Sequence, residues 1–196
     1  MARRTDPTKI EKIKEAAIEM IVEYGYMGAS IAQIAKRAGV STGYMYRHYE
    51  SKEELVTELI RSNFRMYDEE INSLCKREDS IYNIIEDFIK KLFIMARNYP
   101  SKAMLAAVLA VESGTTFQRI IKNSEMPIQK FIDAMVEKGK KKKELDEEVD
   151  STDMGLVLVA MPFTYISWLL RDGMDTNKLT EERVNKIVKM CVNALK

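Results

Sequence analysis

Residues 30–55, SIAQIAKRAGVSTGYMYRHYESKEEL, place two helix starts, a glycine corner and a third helix start in one unbroken run. Ser30 and Gln33 stand three apart, as a capping box requires, so a helix opens at Ile31 with its first orphan amides satisfied by side chains. Ile31, Ile34, Ala35 and Ala38 recur at helical spacing and give that helix one buried stripe. Gly39 then supplies the left-handed residue at which helices commonly end, with Val40 plugging the corner from inside. Ser41 caps a second short helix expected to run to about Tyr49. Ser51 with Glu54 repeats the box, so a third helix starts at Lys52 and turns Leu55, Leu59 and Ile60 inward. Few arrangements accommodate three short helices joined so tightly.

The middle helix has two unlike faces. At 100° per residue Met45 and Tyr49 share one side, with Thr42 close by, and this side must pack on the preceding helices. Gly43, Tyr44 and Arg47 project the other way, while Tyr46 and His48 fall on the flanks. Glycine inside a helix costs roughly 1 kcal/mol relative to alanine, so Gly43 implies that something approaches its backbone closely. The major groove of DNA, wide enough to admit a helix, is such a partner. From Gly28 to Lys52 the cations are Lys36, Arg37, Arg47 and Lys52 against Glu50, a local net of 4 − 1 = +3 in a chain whose overall charge is +1. Lys52, in the first turn of its helix, is expected to meet a phosphate together with the free amides there. Arg3, Arg4 and Lys9 form a basic arm able to follow the DNA backbone or enter the minor groove.

These residues resemble the helix-turn-helix of the TetR family of transcriptional regulators. The resemblance is carried by Tyr24-Gly25-Tyr26, by Ser30, by IAKRAGV at 34–40 and by GYMYRHYESKEEL at 43–55. It covers the first quarter of the chain densely and the remainder in helical layout and length. By resemblance, Thr42, Gly43, Tyr44 and Arg47 reach base edges, whereas Ser30, Gln33, Tyr46, His48 and Lys52 hold phosphates. Tyr49 departs from the family, which more often has phenylalanine there, and its phenol oxygen needs a partner or water.

The rest of the 196 residues reads as helix, and 46% hydrophobic residues are ample for a core. The implied fold is all-α: a DNA-binding domain with its basic arm over 1–52, and a larger helical domain for ligand binding and dimerisation over 53–196. Ile10, Ile13, Ala17, Met20 and Tyr24 form the expected buried stripe of a first helix that follows Pro7 and stops at Gly25. Ile81, Ile84, Ile85, Phe88, Leu92 and Met95 do the same for a helix ending before Pro100. Further helices are expected over 101–113 and 115–139, the latter kinked or broken at Pro127. The basic run Lys138 to Lys143 followed by acids reads as a solvated turn.

Residues 154–170 are apolar nearly throughout, the low end of a membrane span in length, yet Pro162, Thr164 and Ser167 interrupt them. A helix apolar all round also suits a soluble protein that buries one side in its core and the other against a partner, and that reading is preferred. Thr180 caps a last helix whose Leu179 staples against Val184 and whose stripe is Val184, Ile187, Val188, Cys191 and Leu195. The resemblance implies that these last two helices pair with their copies in a homodimer, which would set two reading helices on a palindrome-like operator in double-stranded DNA.

The resemblance also implies a pocket for a small molecule in the larger domain. Phe64, Tyr67, Met104, Tyr165 and Trp168 are the expected lining, and an apolar lining calls for a hydrophobic effector. Phe88, Phe93, Phe117, Phe131, Met135 and Phe163 add similar surface, read mainly as core. One histidine, two distant cysteines (Cys75 and Cys191) and no glycine-rich phosphate loop supply neither a metal site, a cofactor motif nor a catalytic constellation. The cysteines and the absence of an apolar leader after Arg4 point to the cytoplasm. The expected function is therefore a sequence-specific transcriptional regulator: a homodimeric repressor released by its effector, or alternatively a constitutive or architectural DNA-binding factor without one.

Overall fold

The computed structural model describes residues 6–111, 119–120, 123 and 128–196, and every described regular element is helical. By contacts the chain divides into two compact units, Met1–Asn63 with Glu112–Glu125, and Phe64–Val111 with Met126–Lys196.

The first unit opens with α1 (Pro7–Gly28), capped by Asp6, whose side chain accepts from the Thr8 amide, with proline at the first helical position. Gly25, at φ +73° and ψ 167°, interrupts it. That interruption rephases the aromatic pair on either side: Tyr24, expected inside, is 51% exposed, and Tyr26 is buried instead. Ile13, Ala17, Met20 and Ile21 fill the inner face, with Ile10 half-buried at its start.

α2 (Ile31–Arg37) begins with the full Ser30–Gln33 capping box and ends in a Schellman turn. There Val40 N–H donates to the Ala35 carbonyl, Gly39 N–H to Lys36, and Gly39 adopts φ +68°. α3 (Thr42–Tyr46) is capped by Ser41 and stops at Tyr46, earlier than the expected Tyr49. His48 and Tyr49 N–H groups both donate to the Met45 carbonyl, so the helix ends by tightening rather than by extension. α4 (Lys52–Phe64) buries Leu55, Val56, Leu59 and Ile60 completely or nearly so. These residues belong to the first unit, whose leading segment runs to Asn63. The segment around residue 120 joins this unit as well: the Arg119 guanidinium meets the Glu53 carboxylate with both nitrogens, at 2.6 and 2.5 Å, and Arg61 donates to the Asn123 carbonyl at 2.7 Å.

The second unit follows a 3₁₀ turn at Arg65–Tyr67 with α5 (Asp68–Lys76), α6 (Ile81–Asn98), α7 (Pro100–Val111), α8 (Ile128–Lys141), α9 (Ser151–Leu170) and α10 (Glu181–Asn193). The helix expected over 115–139 is seen from Ile128, and its bend at Pro127 lies outside the described residues. α6 buries Ile81, Ile84, Ile85, Phe88 and Met95 as its periodicity requires, and α9 packs along α7 while α10 packs along α6. Phe88 and Phe131 meet at 4.8 Å between ring centroids in the middle of this core.

α9 is long and apolar enough to cross a membrane. Met154, Val157, Leu158, Phe163, Ile166 and Leu170 are nevertheless buried in the protein, whereas Leu156 and Trp168 face out. Pro162, which cannot donate and whose ring would clash with the Leu158 carbonyl, follows a π turn at Leu156–Ala160 that widens the helix and lets it continue.

The lysine run is not a solvated turn. Lys138 donates to the carbonyls of Cys75 and Arg77, Lys142 to those of Glu78 and Asp79, and Lys140 to Glu147. The ammonium groups thereby satisfy carbonyls left over where α5 ends and the chain turns toward α6. α10 closes the unit: Thr180 accepts from the Arg183 amide, and Leu179 and Val184 are both buried as the staple predicts.

Candidate nucleic-acid interface

α3 carries the two faces its sequence demands. Met45 and Tyr49, in and just after a helix that packs on α2, are 0% and 2% exposed, while Thr42, Gly43, Tyr46 and Arg47 lie open. A Cβ added at Gly43 would meet no heavy atom within 4 Å, so nothing inside the protein requires glycine there. Tyr49 answers the question its phenol raised: burial first, and then the neighbouring Glu58 carboxylate, push its pKa far above the ordinary tyrosine range. Glu58 in turn pairs with Lys14 of α1 at 2.8 Å, tying the end of the reading segment to the first helix.

Two of the expected site residues, Tyr44 and Lys52, and one cation counted toward the local charge, Arg37, are placed differently from the sequence reading. Tyr44 is half-buried, and its hydroxyl has no solvent contact and no hydrogen-bond partner among the described residues. A hydroxyl in that position does not present itself to base edges. Lys52 turns its ammonium away from the mouth of α4 and donates to the Tyr26 and Ala29 carbonyls at 2.6 and 2.8 Å, 4.3 Å from the Tyr26 ring centroid. The break at Gly25 leaves these carbonyls at a helix end, where a cation is the natural partner. Arg37, counted above toward the local positive charge, bridges Glu19 and Glu23 of α1 at 3.0 and 3.1 Å. Pairing with those two carboxylates, Glu23 first, raises its pKa further and offsets its charge on the outward face.

What remains outward is compact. Ser30 and Gln33 are exposed at the start of α2, bonded to each other, with Ser30 N–H donating to Gln33 Oε1 at 3.0 Å. Tyr46 is 58% exposed, and His48 is half-buried, its ring 4.7 Å from that of Tyr44. Lys36, Arg47 and Lys9 supply exposed cations. Arg3 and Arg4 lie outside the described residues. The sequence reading missed the part Lys9 plays, since only the fold brings it within 5.4 Å of the Tyr44 ring.

The segment Ile13 to Leu59, from the inner face of α1 into α4, matches the model of the bacterial regulatory proteins of the tetR family. That segment is a TetR-family DNA-binding domain. The chain is 22% identical over 165 residues to the fatty acid metabolism regulator protein of Bacillus subtilis, a match covering 84% of this chain and 85% of that protein. Among solved structures it superposes on FadR from Bacillus subtilis in complex with stearoyl-CoA with a TM-score of 0.69 at 18% identity, covering 95% of this chain and 99% of that one. The fatty acid degradation regulator FadR from Bacillus halodurans gives 0.67 at 20% identity over 99% of both chains. The chain is a DNA-binding regulator of transcription, and its relatives act on genes rather than as enzymes.

The residues expected to line a pocket lie in or beside the second unit. Tyr67, Met104 and Tyr165 are partly buried against its core, with Tyr165 6.4 Å from the Phe93 ring. Burial, before any neighbouring charge, raises the pKa of Tyr67. Trp168 is 64% exposed on the outer side of α9 and does not line the interior. The Phe64 side chain and Phe117 lie outside the described residues.

Proposed function

We propose that this TetR-family regulator is a homodimeric repressor, acting in the cytoplasm, that leaves a palindromic operator when a long-chain acyl-CoA or a chemically similar amphiphile occupies its second unit. Thr42, Gly43 and Arg47 read base edges, while Ser30, Gln33, Tyr46 and His48 hold the backbone. The observation that carries this reading is the open, glycine-bearing side of α3, opposite a side closed by Met45 and Tyr49. Lys52 serves the same surface from behind, by fixing the corner that presents Ser30 and Gln33.

Dimerisation is assigned to α9 and α10. The α10 stripe of Val184, Ile187, Val188 and Cys191 is committed to the chain's own core, so the outer side of α9, with Leu156 and Trp168 exposed, supplies the apolar contact, joined by Met190 of α10. The effector class follows from two relatives whose names concern fatty acids and from one solved in complex with stearoyl-CoA. Tyr67, Met104 and Tyr165 are the lining residues retained for it. An effector shifts the operator equilibrium only by its differential affinity for the DNA-free arrangement.

The decisive experiment selects bound sequences from a random duplex pool and then titrates stearoyl-CoA into the complex with the recovered site. Recovery of a two-fold symmetric site, released by stearoyl-CoA and unaffected by free coenzyme A, is expected. A recovered site that no acyl chain length disturbs would leave a DNA-binding factor without this effector.

A further inference from the structure

Tyr44, Arg47 and His48 stand at i, i+3 and i+4, so they share one side of the α3 turn. The Arg47 guanidinium carbon lies 5.2 Å from the Tyr44 ring centroid, and the Lys9 ammonium 5.4 Å from the same centroid. The His48 ring closes a further side at 4.7 Å, with a 47° tilt. Meanwhile the Tyr44 hydroxyl is out of contact with solvent and has no hydrogen-bond partner among the described residues. The ring is thus displayed to cations, and the one polar atom is hidden.

From this geometry we infer that Tyr44 is a positioning residue: its ring is the platform that aims Arg47 at DNA, and its hydroxyl takes no part in recognition. The inference rests on the reading of α3 as the DNA-contacting helix. Arg47 is the C-cap of α3 and is exposed, so its long side chain has no wall of its own to lean on. A flexible guanidinium must give up rotamer freedom to bind a base in a two-bonded fork, and a ring face that attracts cations gathers those rotamers beforehand. His48 keeps the ring from turning outward. Lys9 brings a second positive charge to the same platform, so two cations crowd there until phosphate arrives.

The test uses the full chain and the duplex recovered by selection. Tyr44→Phe keeps the ring and discards the hidden hydroxyl. It is expected to bind that duplex within about twofold of the parent and to melt at a slightly higher temperature, since an unbonded buried hydroxyl is removed. Tyr44→Leu removes the platform and should lower affinity about five- to tenfold. The loss should appear only through the base pair whose preference Arg47→Ala also flattens, with the salt dependence unchanged. Combined with Arg47→Ala it should add nothing further. Pentafluorophenylalanine at position 44 keeps the ring's shape while reversing its electrostatics, and it should behave as Tyr44→Leu does even if the leucine variant folds poorly.

A base-specific loss in Tyr44→Phe would make the hydroxyl a reader and overturn the inference. So would a Tyr44→Leu or fluorinated variant that binds as the parent does, or that weakens all sequences evenly. If Arg47→Ala itself matches the parent on every sequence, α3 is not the reading helix, a failure distinct from that of the platform alone.

Discussion

In the first unit a helix of five residues closes one side with Met45 and leaves Thr42, Gly43 and Arg47 open on the other. In the second, the Phe88 and Phe131 rings meet in the interior, and side chains such as Leu156 and Trp168 are apolar even where they face out. Local hydrogen bonds shape most corners of the first unit: an Asp6 cap, the Ser30–Gln33 box, the Gly39 turn and the Ser41 cap all act within a few residues of themselves, while Lys52 reaches back to the corner before Ser30. The second unit is held chiefly by side chains far apart in sequence. Its polar ties, such as Lys138 and Lys142 to the 75–79 carbonyls, also span long separations. A surface that must present named atoms to a rigid partner is built by short-range caps, whereas a core that must tolerate an adaptable occupant is built by volume.

The largest expected consequence of that difference is at Phe131. Replacing it with alanine removes a fully buried ring from beside Phe88 and should cost about 3 to 5 kcal/mol of stability. Thermal unfolding followed by calorimetry measures it. The comparison holds if amide protection in α1 to α3 survives at temperatures where the second unit has melted. A simultaneous loss of protection throughout would show that the two units depend on each other for folding.

At Lys52 the expected cost is smaller, about 1.5 to 3 kcal/mol for Lys52→Ala, because two charge-assisted bonds to the Tyr26 and Ala29 carbonyls disappear. Denaturant titration checks the stability. DNA binding measured across salt concentrations separates the two roles: a corner clamp lowers stability and leaves the salt slope nearly unchanged, whereas a phosphate contact makes the slope shallower by about one unit per subunit.

The sequence disclosed the short-range part of this almost completely and the long-range part unevenly, for one physical reason. Ser30, Gln33, Gly39 and Ser41 signal through partners three to five residues away, so their spacing alone is informative. Tyr24 and Tyr26 could not be assigned in the same way. Gly25 leaves the helical region, and periodicity assumes an unbroken phase on both sides. Lys52 and Arg37 looked like outward charge because their acceptors, the carbonyls at 26 and 29 and the carboxylates of Glu19 and Glu23, are fourteen or more residues away in sequence. Trp168 lies on a helix apolar all round, where composition cannot tell the core side from the outer side.

Two glycines sharpen the contrast with one substitution. Gly139 of α8 is buried against Leu145 and Ile81, and an added Cβ would collide with both side chains, so Gly139→Ala should destabilise by about 1 to 3 kcal/mol. Gly43 has open space, so Gly43→Ala should stabilise α3 by about 0.5 to 1 kcal/mol. Only the second should disturb the partner, with operator affinity falling about tenfold as a methyl group meets the groove floor. Melting temperature and affinity then move in opposite directions for Gly43→Ala. A variant that is more stable and equally tight would remove close backbone approach as the reason for this glycine.

The effect smallest at its onset is an alkaline one, and it orders the units by the groups they bury. Burial pushes the Cys191 thiol up to about 12, so it stays protonated in the folded second unit at pH values where the unfolded chain ionises near 9. The folded state then binds more protons, and the stability Cys191 contributes is complete below that region and declines as pH rises toward 12. At pH 9 the decline is only about 0.4 kcal/mol. Tyr49 of the first unit is shifted in the same direction, by burial first and then by Glu58, but its loss begins nearer pH 10, where an unfolded tyrosine ionises. Denaturant midpoints between pH 7 and 11 should therefore begin to fall near pH 9 and steepen near 10. Cys191→Ala should erase the early part and Tyr49→Phe the later one, and an early decline that survives Cys191→Ala would assign it to groups outside the second unit's core.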